Sequence, residues 1–314
     1  VAQGQGLDVS GVISQDTIWT PVMGPYNVVG DIELPAGITL TIEPGVEVVY
    51  TGAYKIEVEG TLLAGGTSTD PIHFSSSTPG TSSGATMLLF KGAALDDSQL
   101  DHAVMEDAAY AIKIGEETEH AQGGKNTGTL TATNLVVDNA DINTDGYQTG
   151  AALVLEDAEL NDLLIKGNYP RSEHISIHTS TITNSEINSD SYNEGIDIYD
   201  STVDGSAFSI GCCGANFGIV RTEVNGSAFS DYNDSYSVRF EDSTLNSCSI
   251  NLPNSNSGCT LINTTISYTG SQGLTCKNLV MNGSTVQGDG TGTGVAFAGT
   301  ASISNSVITG NDVG

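Results

Sequence analysis

Between Thr181 and Ser267 one pattern returns at a fixed interval. Ile182, Val203, Val224, Leu245 and Ile266 follow one another at steps of 21 residues. A second series, Ile196, Phe217, Val238 and Cys259, keeps the same step, and its members are followed two places on by Ile198, Ile219, Phe240 and Leu261. A third runs Ile187, Phe208, Phe229, Ile250. A helix, at about 3.6 residues per turn, cannot produce a constant step of this length, whereas a structural repeat does. Within each repeat apolar residues alternate with polar ones over short runs, and Ser, Thr, Asn, Asp and Gly separate the runs. Each repeat therefore reads as short strands joined by polar turns.

The expected fold is all-β: a single-stranded right-handed parallel β-helix, a β-solenoid of about 21 residues per rung in the C-terminal half, each rung climbing one strand spacing of roughly 4.8 Å. A rung buries its apolar side only against its neighbours, so such a fold exists as an array. Solenoids grow by adding rungs, and residues 1–314 are expected to form one domain. Within it, 1–80 form an N-terminal cap and first rungs, 85–180 longer irregular rungs, and 181–314 regular rungs without a C-terminal cap. A seven-residue step, as from Leu88 to Leu95, Leu153 to Leu160 and Ile175 to Ile182, marks corners outside the regular stretch as well. Gly115 to Gly128 and Asp138 to Gly150 lack apolar rhythm and are expected to be excursion loops. An uncovered last rung is an exposed strand edge, from which the sequence predicts either a continuing chain, with further domains, or end-to-end stacking of copies.

Charge removes whole classes of partner. Lys and Arg number 9 against 38 Asp and Glu, a formal charge of −29. Nucleic acid and anionic membrane surfaces would be repelled. No apolar run is long enough for a transmembrane helix, so membrane insertion is not expected. Such a surface suits a salty medium and offers oxygen ligands to divalent cations.

The first 80 residues have their own texture: "PYNVVGDIELPAGITLTIEPGVEVVY", then "IEVEGTLLAGGTSTDPIHFSSS". This order resembles the opening rungs of secreted right-handed β-helix proteins with pectate-lyase-like repeats, especially large surface proteins of marine bacteria and archaea. The resemblance covers about a quarter of the chain. It implies this fold and a secreted or cell-surface location, and such openings precede both enzymes and non-enzymatic adhesive stalks.

Several constellations have the residue types that chemistry needs. Asp141-Ile142-Asn143-Thr144-Asp145-Gly146 matches the front half of a calcium loop, with oxygen ligands Asp141, Asn143 and Asp145 at alternate positions before a Gly. Its twelfth position is Ala152 in place of a bidentate acid, and a polar turn accounts for the same residues. Asn143-Thr144-Asp145-Gly146 is also similar to the first motif of the polygalacturonases. The paired aspartates, Gly-His-Gly and Arg-x-Lys of that family are missing: "GCCG" stands at 211–214, and Arg221 is followed by Thr222 and Glu223. Inverting hydrolysis needs two opposed carboxyl groups, which one Asp does not provide. A lyase base would have to come from Arg221 or Arg239. The 21-residue register instead stacks Arg221 between Asp200 and Asp242 and puts Arg239 two rungs from Asp197, a charge-compensating ladder. His174 and His178, four apart on one strand, are separated by about 13 Å and cannot share a metal.

Turns between the apolar series gather at one corner. Asp190, Tyr192, Tyr232, Asp234 and Tyr236 would make a strip able to hold a sugar ring, and a solvated corner shielded by Tyr explains them equally well. Asn225, Asn233, Asn263 and Asn282 lie in Asn-x-Ser/Thr sequons and would carry glycans in a secreted protein. Five cysteines leave at least one without an intrachain partner. Cys248 shares the register of Ser185, Ser206 and Ser227, and Cys259 that of Ile196 and Phe217, so both read as buried core residues. Cys212 and Cys213 could close a vicinal disulfide or remain free thiols. A flat ice-binding face is disfavoured, since Glu223 interrupts Thr181, Thr202, Thr244 and Thr265.

With no complete catalytic set, the sequence reads as a non-enzymatic structural or adhesive segment of a cell-surface or filament-forming extracellular protein. Carbohydrate is a candidate partner and calcium a candidate cofactor. The alternative is a carbohydrate-active enzyme, a polysaccharide lyase or glycoside hydrolase, acting on an acidic glycan.

Overall fold

The computed structural model describes residues 6–77, 84–91, 95–115, 128–144, 151–168, 174–190, 195–211, 216–231, 237–253, 258–269 and 272–310. Among these residues every regular element is a β-strand, and the strands pair in parallel as a β-solenoid of roughly 22 residues per turn. The chain divides into two compact units, 1–165 and 166–314.

In the first unit each rung places strands on three walls. One wall stacks Thr39–Ile42, Thr61–Gly65 and Gln99–Asp101, with Leu40 on Leu62. A second stacks Glu47–Tyr50, Ile72–Ser76, Ala103–Glu106 and Val136–Asp138, so that Val48, Phe74, Met105 and Val137 form one buried column. The third aligns Ile56, Leu88, Ile112 and Ile142. Two expectations are corrected here. Leu88 sits on this third wall, not on the wall of Leu153, so its seven-residue spacing to Leu95 is not the corner spacing of Leu153 and Leu160. The first part of the expected excursion at 138–150 instead contains the strand Asp141–Thr144, paired with Tyr110–Ile114, because Ile142 completes the buried column. Most of the other expected loop, 116–127, lies outside the described residues.

The second unit shows the 21-residue register as physical columns. Ile175, Ile196, Phe217, Val238 and Cys259 stack on one wall. Ile182, Val203, Val224, Leu245 and Ile266 stack on the next, and Ile187, Phe208, Phe229 and Ile250 on the third. The Phe208 and Phe229 rings lie 4.1 Å apart at 4°, with Phe217 and Phe240 meeting them edge-on. These rings are fully buried, and each carries a large share of its rung's apolar burial.

Corners explain the polar half of the repeat. Thr179, Asp200, Arg221, Asp242 and Asn263 all have φ of 49–51°, and five residues further on Asn184, Gly205, Gly226 and Ser247 have φ of 49–59°. The three-residue strand between each pair is thus flanked by left-handed turns, which Asn, Asp and Gly tolerate best. Each turn amide bonds to the next rung, as Asp200 N–H to Val220 C=O and Arg221 N–H to Glu241 C=O. Directly after these turns a hydroxyl points inward, except after Ser247, where the Cys248 thiol takes its place. Thr222 Oγ1 accepts from the Ser201 amide and donates to the Val220 carbonyl, and Ser243 Oγ accepts from the Thr222 amide. Ser185, Ser206 and Ser227 form a second such file behind the other corner. These hydroxyls satisfy amides that would otherwise be buried without a partner.

Cys248 continues that second file and is buried, as its register predicts, and burial pushes its thiol up to about 11. Cys259 is buried too, but it is joined to Cys276 by a disulfide with Cα atoms 6.1 Å apart. Its reading as a plain core residue is corrected. Cys212 and Cys213 lie outside the described residues.

Candidate functional site

Side chains that alternate with the core columns line the outer faces, and in the second unit one face concentrates ionisable groups. The strands His174–His178, Ile196–Tyr199, Asn216–Val220 and Ser237–Glu241 lie side by side. Because Ile175, Ile177 and their partners face inward, Ser176, Asp197, Gly218 and Arg239 form one outward column. His178, Tyr199, Val220 and Glu241 form the next.

The groups interlock. The His178 and Tyr199 rings stack at 4.7 Å and 9°, with Ser176 Oγ 2.8 Å from His178 Nε2. The Tyr199 hydroxyl donates to Asp197 Oδ2 at 3.2 Å, and His174 Nε2 approaches the same oxygen at 3.4 Å. Burial, then the Asp197 carboxylate, holds the Tyr199 phenol above its usual range, with Arg239 opposing the shift. Arg239 Nη1 reaches Glu241 Oε2 at 2.9 Å. At the adjoining corner Arg221 grips Asp200 with both prongs, Nε to Oδ1 and Nη2 to Oδ2, each at 2.6 Å. That bond holds the Asp200 carboxyl below and the Arg221 guanidinium above their ordinary values. The same guanidinium lies 6.0 Å from the centre of the Tyr199 ring. Val220 faces outward by register yet is only 4% exposed, so its neighbours cover it.

Of the expected ladder, then, Arg221 sits on Asp200, while Asp242 accepts instead from Asn263 Nδ2 at 2.9 Å. His174 and His178 are half-exposed and make separate contacts on this face. The sequence reading assigned them no partner; the signal was present, since the 21-residue step places Asp197 and Tyr199 beside Ser176 and His178.

Other sequence-predicted residues are dispersed. Asp141 and Asn143 share the outer side of one strand in the first unit; Asp145 lies outside the described residues. Asp141 Oδ1 accepts from the Leu164 amide at 2.9 Å. Asn143 is 7% exposed and its Oδ1 is buried without a hydrogen-bond partner, while Lys113 occupies the neighbouring rung in register. Asp190 ends the strand Glu186–Asp190; Tyr192, Tyr232, Asp234 and Tyr236 fall outside the described residues, as does Asn233. The Asn225 amide donates to Asp204 at 2.7 Å, and the hydroxyl of its sequon, on Ser227, belongs to the buried file. Ser284, of the Asn282 sequon, is likewise buried. Asn263 and the hydroxyl-bearing Thr265 are both exposed. Among the described residues no group of three or more His, Cys, Asp or Glu side chains is placed to hold a metal, and no helix is long and apolar enough to cross a membrane.

No protein family and no curated protein matches the sequence. Among solved structures, the tailspike protein of E. coli bacteriophage HK620 in complex with a hexasaccharide is similar at 12% identity and a TM-score of 0.37, over 96% of this chain and 72% of that one. PfbA, a surface adhesin of Streptococcus pneumoniae, is similar at 10% identity and 0.33, over 98% and 85%. An alginate lyase from Paenibacillus sp. is similar at 13% and 0.27, over 90% and 99%. Likeness this distant carries no argument about ligand or activity, which rests on the residues themselves.

Proposed function

We propose that the chain is a non-enzymatic structural and adhesive segment of an extracellular, cell-surface or filament-forming protein. The supporting observation is the inward hydroxyl file Ser180, Ser201, Thr222 and Ser243, in which the amides of Ser180, Ser201 and Thr222 are each bonded to the hydroxyl one rung on. Rungs joined by buried bonds, beyond their backbone ladders, resist being pulled apart, as those of a stalk must. The Cys259–Cys276 disulfide fits an oxidising compartment. End-to-end association of copies and carbohydrate binding belong to the same proposal. Electron microscopy of purified material, rods or filaments against compact particles, together with incubation on a panel of uronate polymers, tests it. Unsaturated or newly reducing products would sink the reading.

The alternative, an enzyme acting on an acidic glycan, is favoured by one observation: Asp197, Tyr199, Arg239 and His174 converge on one face. Turnover lost in a Tyr199→Phe variant would support it.

Calcium and glycans are further parts of the proposal. The orphaned Asn143 Oδ1 fits a cation, with Asp141 beside it, whereas Lys113 one rung away opposes one. Chelator that leaves the melting temperature unchanged removes calcium. Of the described sequons, Asn263 has the exposed geometry that a glycan needs.

A further inference from the structure

We propose that Lys113 and Asn143 join through their side chains in an amide that ties two rungs of the first unit together. The two are register partners on adjacent strands, Tyr110–Ile114 and Asp141–Thr144. Ile112, Ile114 and Ile142 face the core, so Lys113 and Asn143 share one outward column, with Leu89 on the other side of Lys113. This column is covered: Leu89 is 2% exposed and Asn143 7%. The Asn143 carbonyl oxygen is buried without a hydrogen-bond partner, which leaves a desolvated amide carbonyl beside a lysine. A lysine opposes a cation here and supplies a nucleophile instead. Its flexible stem spans one strand spacing, roughly 4.8 Å. A second register pair, Tyr110 and Asp141, adjoins the first. Lys113 Nζ lies 5.1 Å from the centre of the Tyr110 ring, and Asp141 is anchored through Oδ1 on the Leu164 amide at 2.9 Å.

The three side chains supply what amide exchange needs. Asp141 takes a proton from the Lys113 ammonium, and the neutral amine adds to Asn143 Cγ. Negative charge builds on Oδ1 as the new C–N bond forms. Collapse re-forms the carbonyl and breaks the Cγ–Nδ2 bond. The extra proton on the attacking nitrogen passes to Nδ2, which departs as ammonia, and Asp141 gives its own proton to that ammonia. Asp141 ends as it began, and an ammonium with a primary amide has become a secondary amide with a free ammonium ion. No oxidant, reductant or co-reactant enters. Register holds amine and carbonyl together, which turns a slow encounter into an intramolecular step, and the covered column keeps out competing water.

The bond goes beyond the stalk reading and is read by mass, so its absence leaves that reading standing. The test is intact-mass spectrometry of the reduced full chain, followed by peptide mapping. Wild type is expected to fall about 17 Da, one ammonia, below the mass of its sequence. Its digest is expected to contain a branched peptide holding Lys113 and Asn143. Lys113→Arg and Asn143→Ala are expected to restore the full mass, since a guanidinium stays protonated and does not attack. Lys113→Arg, on a partly exposed side chain, carries the test if Asn143→Ala fails to fold, and it is expected to melt below wild type. Asp141→Asn is expected to show the full mass as well. A succinimide at Asn225-Gly226 or Asn282-Gly283 sheds the same mass, but it persists in Lys113→Arg and gives no branched peptide. A wild-type chain at full mass, a shortfall that Lys113→Arg retains, or a digest without the branched peptide overturns the bond. A shortfall retained in Asp141→Asn removes Asp141 from the step.

Discussion

Asp101 shows how a single carboxylate ties rungs together. Its Oδ1 accepts from Thr133 Oγ1 at 2.6 Å and Asn134 Nδ2 at 2.9 Å, both one rung on, and contacts His102 Nδ1 at 2.9 Å. Burial by itself pushes this carboxyl up, but the hydrogen bonds and the neighbouring imidazole outweigh it and the net shift is downward. A carboxyl lowered in the fold from about 3.9 stabilises above that pH and loses the contribution as pH falls through the folded value. Asp101→Asn is therefore expected to melt below wild type at neutral pH, by about 1 kcal/mol, with the gap shrinking below about pH 4. Melts at pH 7, 5 and 3 check the sign. Thr222→Ala leaves the Ser201 amide buried without its acceptor and is expected to cost about 1–3 kcal/mol in denaturant titration. That the register puts a hydroxyl at Ser180, Ser201, Thr222, Ser243 and Thr264 is visible in the sequence. That the Ser201, Thr222 and Ser243 hydroxyls accept along the axis depends on side-chain torsions and does not follow from spacing.

At the scale of strands, the aromatic column is the test of the register. Phe208, Phe229 and their edge-on neighbours fill the interior of successive rungs. Phe229→Ala is expected to cost about 3–5 kcal/mol, since neighbouring rungs, pinned by their ladders, cannot collapse into the void. Equilibrium unfolding measures it. The strands of the second unit were legible because alternation and a constant step agree. The first unit was less so, as its rungs vary: Met105 to Val137 is one rung of 32 residues, and Val137 to Leu160 one of 23. With no constant step, the chance spacing of Leu88 and Leu95 looked like a corner, and Asp141–Thr144 was hidden among turn-forming residues. The disulfide escaped for the same reason. Ile250 pairs with Leu274 and Leu252 with Cys276, a rung of 24 that breaks the earlier step and moves Cys276 out of any column the period predicts.

For the molecule as a whole, charge and covalent closure set the conditions of stability. At −29, self-repulsion opposes compaction, and added salt is expected to raise the melting temperature as the screening length falls to about 8 Å near 0.15 M. Melting across a sodium chloride series checks this. The Cys259–Cys276 bond closes a short loop, the two cysteines being 17 residues apart, and Cys259→Ser with Cys276→Ser is expected to lose about 3 kcal/mol. The sequence by itself determined the parallel solenoid, the inward columns and which residues share each outer column, because strand alternation and a constant rung length leave one register that buries the apolar set. Only the tertiary structure decided which partner each polar side chain takes. Arg221 has an acid within reach on either side, yet it binds Asp200 while Asn263 occupies Asp242. Arg239 turns to Glu241 on its own strand, and the Asp197 carboxylate lies in the space that a side chain at Gly218 would take. Register fixes a column to one strand spacing, but a long side chain spans that distance in either direction. Competition among neighbours brought together from different rungs then settles the choice.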